Sequence, residues 1–440
     1  MIKLCRFEHK IPLILAYAGK YTRKLTYFMT KPGHFPRKIL NDPVYGFISI
    51  RDLRLFEIIE HPWFQRLRRI KQLGLTHLVY PGALHNRLQH SIGAMHLMQI
   101  AISELRAKGH EITEEEAFGV CAAILMHDIG HGPYSHALEY SIVRGITHER
   151  LSEKIIESLN RLSGGELTTA EEIFRGTYKK HFLSKLVSSQ LDMDRLDYLR
   201  RDSFFTGVSE GIINYERLLN MLNVAGDELV IEAKGIYSVE KFITARRLMY
   251  WQVYLHKTVL AAEYMLMKLL QRAKELSMGG DDLYASPALQ YFLKGPVNVP
   301  DPGLSEELLH QFTALDDYDV LGAMKVWTRH SDRVLSTLSD GLVNRRLFRI
   351  EMQSAPFDAQ RIAVLQEKVE KKYRLTGNEV RYFIIHESTS NHAYSPGPDH
   401  ISILQKNGQI DDFSHLSEDL DIHLLVKPVT KYFLAYPKDV

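Results

Sequence analysis

In the stretch Ile124-Leu-Met-His-Asp-Ile-Gly-His-Gly-Pro-Tyr-Ser-His136 an apolar run leads straight into the adjacent pair His127-Asp128. A neutral imidazole and a carboxylate are both costly to bury alone. Side by side at the end of an apolar helix, they require a cation or a hydrogen-bond partner. Gly130, Gly132 and Pro133 then break the helix, and the loop they open carries His131 and His136. Three imidazoles and a carboxylate thus fall within ten residues. A lone His-Asp pair is ordinarily no more than a capped helix end with surface histidines, so further groups have to decide.

Three further groups do so. His90 lies near the start of one predicted helix, His148-Glu149 opens another, and Asp194, Tyr198, Arg201 and Asp202 fall on one side of a third. Helix starts favour carboxylates anyway, and charges so spaced also pair along a solvated face. Taken together, though, His90, His127, Asp128 and Asp194 come from three helical segments and could offer two imidazoles and two carboxylates to one divalent cation. Such a nitrogen and oxygen set, with positions left for water, suits Mn, Fe, Co, Ni or Zn better than a thiolate-rich site would, and Mg also remains open. The ion would polarise a phosphoryl oxygen and acidify bound water, with nearby Arg and His neutralising phosphate charge. Hydrolysis of a phosphate ester is the chemistry this implies.

The elements that must position these groups are mostly helices. Thr113 and Glu116 have capping-box spacing, and Ala117, Val120, Cys121, Ile124 and Leu125 form the stripe that ends at His127. Upstream, residues 41–50 read as a turn into a short strand, and Leu53 to Leu73 has helical spacing interrupted at His61-Pro62. Arg66, Arg68, Arg69 and Lys71 make that second helix basic, ordinarily a solvated face but also able to receive phosphates. After the Pro81-Gly82 turn comes the His90 helix, with Ile92, Met95, Ile102 and Leu105 inward. Thr147 starts the next helix, with Leu151, Ile155, Leu159 and Leu162 inward and Gly164-Gly165 ending it. Asp227 to Tyr237 alternates as a hairpin, and Val239 to Leu276 reads as one long helix with Phe242, Met249, Val253 and Leu260 on its packing stripe. Beyond Thr376, Val380 to Ile385 and Ile401 to Leu404 read as strands, with a turn at Asn407-Gly408.

The expected class is therefore mainly α, a multi-helix core with a small β-hairpin and a small α+β C-terminal appendage. The boundaries read as an N-terminal extension over 1–40, a core over 41–275, a helical continuation with a loop insert over 276–376, and the appendage over 377–440. Composition is ordinary for a globular chain of 440 residues, 45% hydrophobic and 25% charged. A net charge of +2 makes no case for a nucleic-acid partner, and no apolar run is long enough to span a membrane. Cys5 and Cys121 cannot build a disulfide framework, which fits a reducing cytoplasm. There is no glycine-rich phosphate loop of the GxxxxGK type.

These motifs resemble the HD-domain phosphohydrolases, and most closely the deoxynucleoside-triphosphate triphosphohydrolase branch that includes the sterile-alpha-motif and HD-domain protein. The resemblance rests on Asn41-Asp-Pro with Gly46, Phe64-Gln-Arg-Leu-Arg68, Ile70-Lys-Gln-Leu-Gly74, His85-Asn-Arg87 with His90-Ser91, the His127 to His136 stretch, His148-Glu149, and Asp194 through Asp202. It implies metal binding by His90, His127, Asp128 and Asp194, with a second ion entering with the substrate phosphates. It implies that Arg87 meets the triphosphate and that His131, His136, His148 and Glu149 surround the α-phosphate. His136 is then the general acid, oriented by Glu139, since an imidazole donates a proton near neutral pH. Gln72, Leu73, Tyr198 and Asp202 match positions that hold the deoxyribose and disfavour a 2′-hydroxyl. Arg195 stands where this branch has a phosphate-binding lysine, and a guanidinium is directed differently. The implied reaction turns a dNTP and water into deoxynucleoside and inorganic triphosphate, in a homo-oligomer (dimer or tetramer) with a nucleotide activator. Hydrolysis of another phosphoester, or nucleotide binding without catalysis, are the alternatives.

Overall fold

The computed structural model describes residues 37–135, 141, 145–295, 304–391, 394–395, 397, 400–417 and 427–440. It opens on a hairpin of β1 (Lys38–Asp42) and β2 (Gly46–Ile50), whose turn is closed by the Asp42 carboxylate accepting from the Val44 and Tyr45 amides at 2.9 and 3.0 Å. Only the second strand was legible, because the polar Lys-Ile-Leu-Asn-Asp of β1 lacks an apolar alternation. Helix α1 (Leu53–Glu60) ends at His61, and the basic run that follows is a short turn of helix, Pro62–Gln65, leading into a 3₁₀ turn, Arg66–Arg69. Arg66 is completely buried rather than on a solvated face.

Helix α2 (Arg87–Ala107) starts from a capping box between Asn86 and Gln89. Helix α3 (Glu114–Met126) starts from the predicted box of Thr113 and Glu116, which satisfies two end amides reciprocally. Every residue from Phe118 to Met126 is buried, so α3 is a central helix with no solvated side except near its start. Helix α4 (His148–Leu162) buries Leu151, Ile155 and Leu159 as expected, but Leu162 is exposed, because it closes the last turn beyond the packed face. Helix α5 (Met193–Thr206) is capped by the Asp192 side chain at its start and by Gly207, with φ of 75°, at its end.

The hairpin of β3 (Leu222–Ala225) and β4 (Glu228–Glu232) lies earlier than its alternation suggested. Gly226 and Asp227, both left-handed, form its turn, and residues up to Tyr237 already enter the next helix. The single long helix expected after it is two, α6 (Ile236–Met249) and α7 (Lys257–Met278), joined through a π-helical turn, Tyr250–Tyr254, with His256 capping α7. Helices α8 (Glu306–Thr313), α9 (Asp317–Trp327) and α10 (Arg333–Val343) follow.

The C-terminal strands build two sheets. Strands β5 (Arg349–Gln353) and β6 (Ile385–Asn391) both pair antiparallel with β9 (Val429–Tyr436), which lies between them. Strand β7 (Ser402–Leu404) pairs parallel with β4 and antiparallel with β8 (Ile410–Asp412), across the predicted turn at Gly408. The expected strand over Val380 to Ile385 begins only at Ile385, because Val380–Tyr382 is a 3₁₀ turn and the side chains from Tyr382 to Ile385 are buried in succession rather than alternately. The molecule is mainly α, and one connected apolar core runs from Ile48 to Tyr436. Among the described residues no helix is long and apolar enough to cross a membrane.

Candidate metal centre

The ends of three helices meet. His90 comes from the first turn of α2, His127 from the residue that caps α3, and Asp194 from the first turn of α5. His90 Nε2 and His127 Nε2 lie 3.3 Å apart, and Asp194 Oδ1 lies 3.1 Å from the first and 3.4 Å from the second. The three ligand atoms all fall within 4.8 Å of one another. Asp128 closes the group, with Oδ1 3.3 Å from His127 Nε2 and Oδ2 3.7 Å from His90 Nε2.

The donor set fits a divalent cation for a reason internal to the site. His90 Nδ1 is 2.7 Å from Asp197 Oδ2, and His127 Nδ1 is 2.6 Å from the Ile124 carbonyl. Both partners only accept, so each Nδ1 carries the proton and each neutral Nε2 presents a lone pair. Two lone pairs and a carboxylate thus face one another at ligand distances, an arrangement that a cation stabilises. The carboxylates around His90 call for positive charge: burial would lower its pKa, but Asp194 and Asp197 outweigh that and push it up to about 10, and a cation at Nε2 would take the place of that second proton. Burial likewise opposes ionisation of Asp194, yet His127 and His90 hold its carboxyl far below the usual range.

Behind His90 the support is ionic. Asp197 is fully buried and takes Arg201 Nε and Nη2 at 2.9 and 3.0 Å, and Arg201 Nη1 reaches Asp42 at 2.8 Å. Arg201 therefore braces the metal group from behind and does not share the open side with Tyr198.

Arg87 ion-pairs with Asp128 and donates to Ser135 Oγ at 2.6 Å. Against the cost of burial, Arg87, His127 and His131 hold Asp128 ionised well below its usual range. His131 Nε2 lies 3.3 Å from Asp128 Oδ1, and burial together with Arg87 keeps this imidazole neutral. Its ring stacks on His148, with centroids 3.9 Å apart, and His148 Nε2 is 3.3 Å from Glu149 Oε1. A Cβ at Gly130 would overlap the His148 carbonyl and the Ser152 amide, so only glycine lets α4 approach this closely. His136 and Glu139 lie outside the described residues.

Farther along α5, Asp202 is buried and accepts from Tyr254 Oη at 2.8 Å, with His85 Nε2 2.7 Å away. Gln72 is tied to the same corner, its amide donating to the His85 carbonyl at 3.0 Å, and its Oε1 is buried without a partner. Leu73 is half-buried beside it. Tyr198 is half-buried, with its ring 6.0 Å from that of Tyr254. Arg195 ion-pairs with Asp192, and its Nε is buried with no partner.

The sequence reading missed Tyr254, His85 as a holder of Asp202, and Arg246. Arg246 sits over the Tyr250 ring at 5.9 Å, bears electrostatically on Tyr198, and has a buried Nε without a partner. Both Tyr254 and Arg246 lie within the stretch whose spacing predicts one continuous helix. The only available signal was the Tyr250-Trp251-Gln252-Val253-Tyr254 run, whose π-helical turn is a feature common at functional sites.

A model of the HD domain matches residues 87–202, and one of the HD-associated region matches residues 213–284. The crystal structure of a phosphohydrolase from Bacteroides thetaiotaomicron has a TM-score of 0.88 at 52% identity, covering 91% of this chain and 99% of that one. YwfO, an uncharacterized protein of Bacillus subtilis, is 33% identical over 417 residues, 92% of this chain and 93% of YwfO. A Dictyostelium discoideum protein named deoxynucleoside triphosphate triphosphohydrolase SAMHD1 homolog is 31% identical over 265 residues, 56% of this chain and 51% of that protein.

Proposed function

The chain belongs to the HD-domain phosphohydrolases, and from that premise we propose that it hydrolyses deoxynucleoside triphosphates to deoxynucleoside and inorganic triphosphate. The observation that carries this reading is the layout of α5. Asp194, Tyr198 and Asp202 recur every four residues on one side of the helix, roughly 6 Å per step. Asp194 belongs to the metal group, and Asp202 is held by Tyr254 and His85 at the far end. The two carboxylates are two such steps, roughly 12 Å, apart, which leaves room for a cation at one, a phosphate with its attached sugar, and a hydrogen bond at the other.

His90, His127 and Asp194, with Asp128 beside them, would hold the cation. When bound, it supplies charge neutralisation at a phosphoryl oxygen and a more acidic water. The chain's own residues supply the rest. Arg87 and Arg195 offer guanidinium donors to phosphate oxygens, and the unpartnered Arg195 Nε points to an acceptor that the ligand brings. Asp202 accepts from a sugar hydroxyl while Tyr254 fixes the carboxylate's orientation, and Tyr198, Gln72 and Leu73 restrict space around the ring. His131 stays neutral between Asp128 and His148. As the family resemblance implies, His136 would deliver the proton to the leaving oxygen, with His148 and Glu149 at the same phosphate.

A product assay tests the reading. Each dNTP is supplied singly and mixed, with Mn, Mg, Co, Ni or Fe, and nucleoside, monophosphate and polyphosphate are resolved by chromatography. Deoxynucleoside with intact triphosphate, absent in Asp128→Ala, is expected, and activity only with mixed dNTPs reveals a nucleotide activator. Monophosphate and pyrophosphate as products, or no turnover at all, overturn the reading.

A further inference from the structure

The turn that carries His131 is held in an unusual conformation by groups distant in sequence. Tyr134 and Ser135 have φ of 52° and 53°, successive left-handed residues that both bear side chains. The Tyr134 amide donates to Asp317 Oδ1 at 2.9 Å. The other oxygen, Asp317 Oδ2, accepts the Lys71 amide at 2.9 Å, with Lys71 Nζ 3.6 Å away. Asp317 is 1% exposed and opens α9. One carboxylate therefore bridges the turn beside Asp128 to the residue preceding Gln72.

The neighbouring contacts act in the same direction. Asp316, which caps α9, ion-pairs with Arg69. Arg66 donates from Nη1 and Nη2 to the His131 carbonyl at 2.9 and 2.8 Å, and its guanidinium lies 5.0 Å from the centre of the Phe312 ring of α8. Helices α8 and α9 thus form a buttress under the His131 turn.

We propose that Asp317 is a positioning residue, which holds the turn 131–135 so that His131 and Ser135 stay against Asp128 and Arg87. Burial alone does not account for a carboxylate whose two oxygens each take a backbone amide from a different wall of the site. Because the candidate ligands His90, His127 and Asp194 stand on α2, α3 and α5, and Asp317 reaches Asp128 only through the turn, loss of Asp317 is expected to disturb turn geometry far more than metal binding. The activity arm of the test rests on the function proposed above, and the other two arms do not.

Three measurements on the full chain decide it: Mn²⁺ titration, amide hydrogen exchange of the peptide spanning Tyr134 and Ser135, and dNTP turnover. Asp317→Asn is expected to bind Mn²⁺ within about threefold of the parent, to exchange that peptide at least about tenfold faster, and to lose about 10- to 100-fold in kcat with KM within about threefold. Asp317→Glu, which keeps both acceptor oxygens and the charge, recovers part of kcat and decides alone if Asp317→Asn does not fold. Unchanged exchange and kcat in a folded variant overturn the proposal, as does loss of Mn²⁺ affinity in parallel with kcat. A parent that turns over no dNTP overturns the function proposed above, and exchange then decides this inference alone.

Discussion

Asp197 Oδ2 lies 2.7 Å from His90 Nδ1, and this contact fixes which nitrogen of His90 is left to bind a metal. Asp197→Asn puts an amide there that can donate, so the imidazole no longer keeps a single tautomer. Affinity for Mn²⁺ should fall by about 10- to 100-fold while the fold persists. Isothermal titration measures this, and affinity equal to the parent's would refute it.

Removal of the metal should cost stability as well as activity. A chelator-treated sample should melt lower than one refilled with Mn²⁺, and the gain at a hundredfold excess over Kd should be about 2.7 kcal/mol. His127→Ala should abolish most of that response. A thermal scan with and without Mn²⁺ reads both, and a melting point indifferent to the ion would count against the site.

Tyr254 donates to Asp202 at 2.8 Å, and burial and Asp202 together keep its phenol protonated well above pH 10. Tyr254→Phe leaves a buried carboxylate with one partner fewer, a loss of about 1.5–3 kcal/mol for a hydrogen bond to a charged group. The effect should appear as about a tenfold or larger fall in kcat/KM for dNTPs, with Mn²⁺ affinity unchanged. Steady-state kinetics on the two proteins settle the point.

Glu116 ties the start of α3 to Lys180 and Tyr178. Burial opposes its ionisation, but the Lys180 ammonium, the Thr113 amide and the Tyr178 hydroxyl outweigh it and hold the carboxyl below its usual pKa. A depressed folded-state pKa contributes stability that is fully present above the unfolded value, about 4.3, and is lost as pH falls through the folded one. The melting-point gap between the parent and Glu116→Gln should therefore be constant at neutral pH and close below about pH 4. A gap that widens on acidification would contradict the sign.

Gly130→Ala should be among the worst small substitutions in the molecule. Its Cβ would meet backbone atoms of α4, which cannot yield as a flexible side chain would. A loss of about 1–3 kcal/mol is expected from the overpacking, together with a displaced His148 and reduced turnover. Denaturant unfolding gives the first quantity directly.

What could be read from the chain alone was whatever local chemistry dictates. The capping box at Thr113 marks where α3 begins, and helical spacing carries the apolar run to His127, so the inner position of that imidazole was foreseeable. That His90 and Asp194 could join His127 at one cation was an inference from residue type and family resemblance; no local spacing dictates it, because whether they meet depends on how α2 and α5 pack. Arg66, Asp316 and Asp317 were not legible, since a buried charge looks like a surface charge until its partner, far along the chain, is known. The π-helical turn was invisible for a different reason: the apolar period runs through it almost unchanged while its backbone register shifts.

Strand β9 is the middle strand of its sheet, yet it follows both of its neighbours in the chain. During synthesis β5 and β6 leave the ribosome first and wait with their inner edges open until residues 429–436 arrive. Unpaired strand edges are templates for association with other chains. Stalled or truncated translation products should therefore aggregate through this sheet even though the helices around the candidate metal centre are already complete.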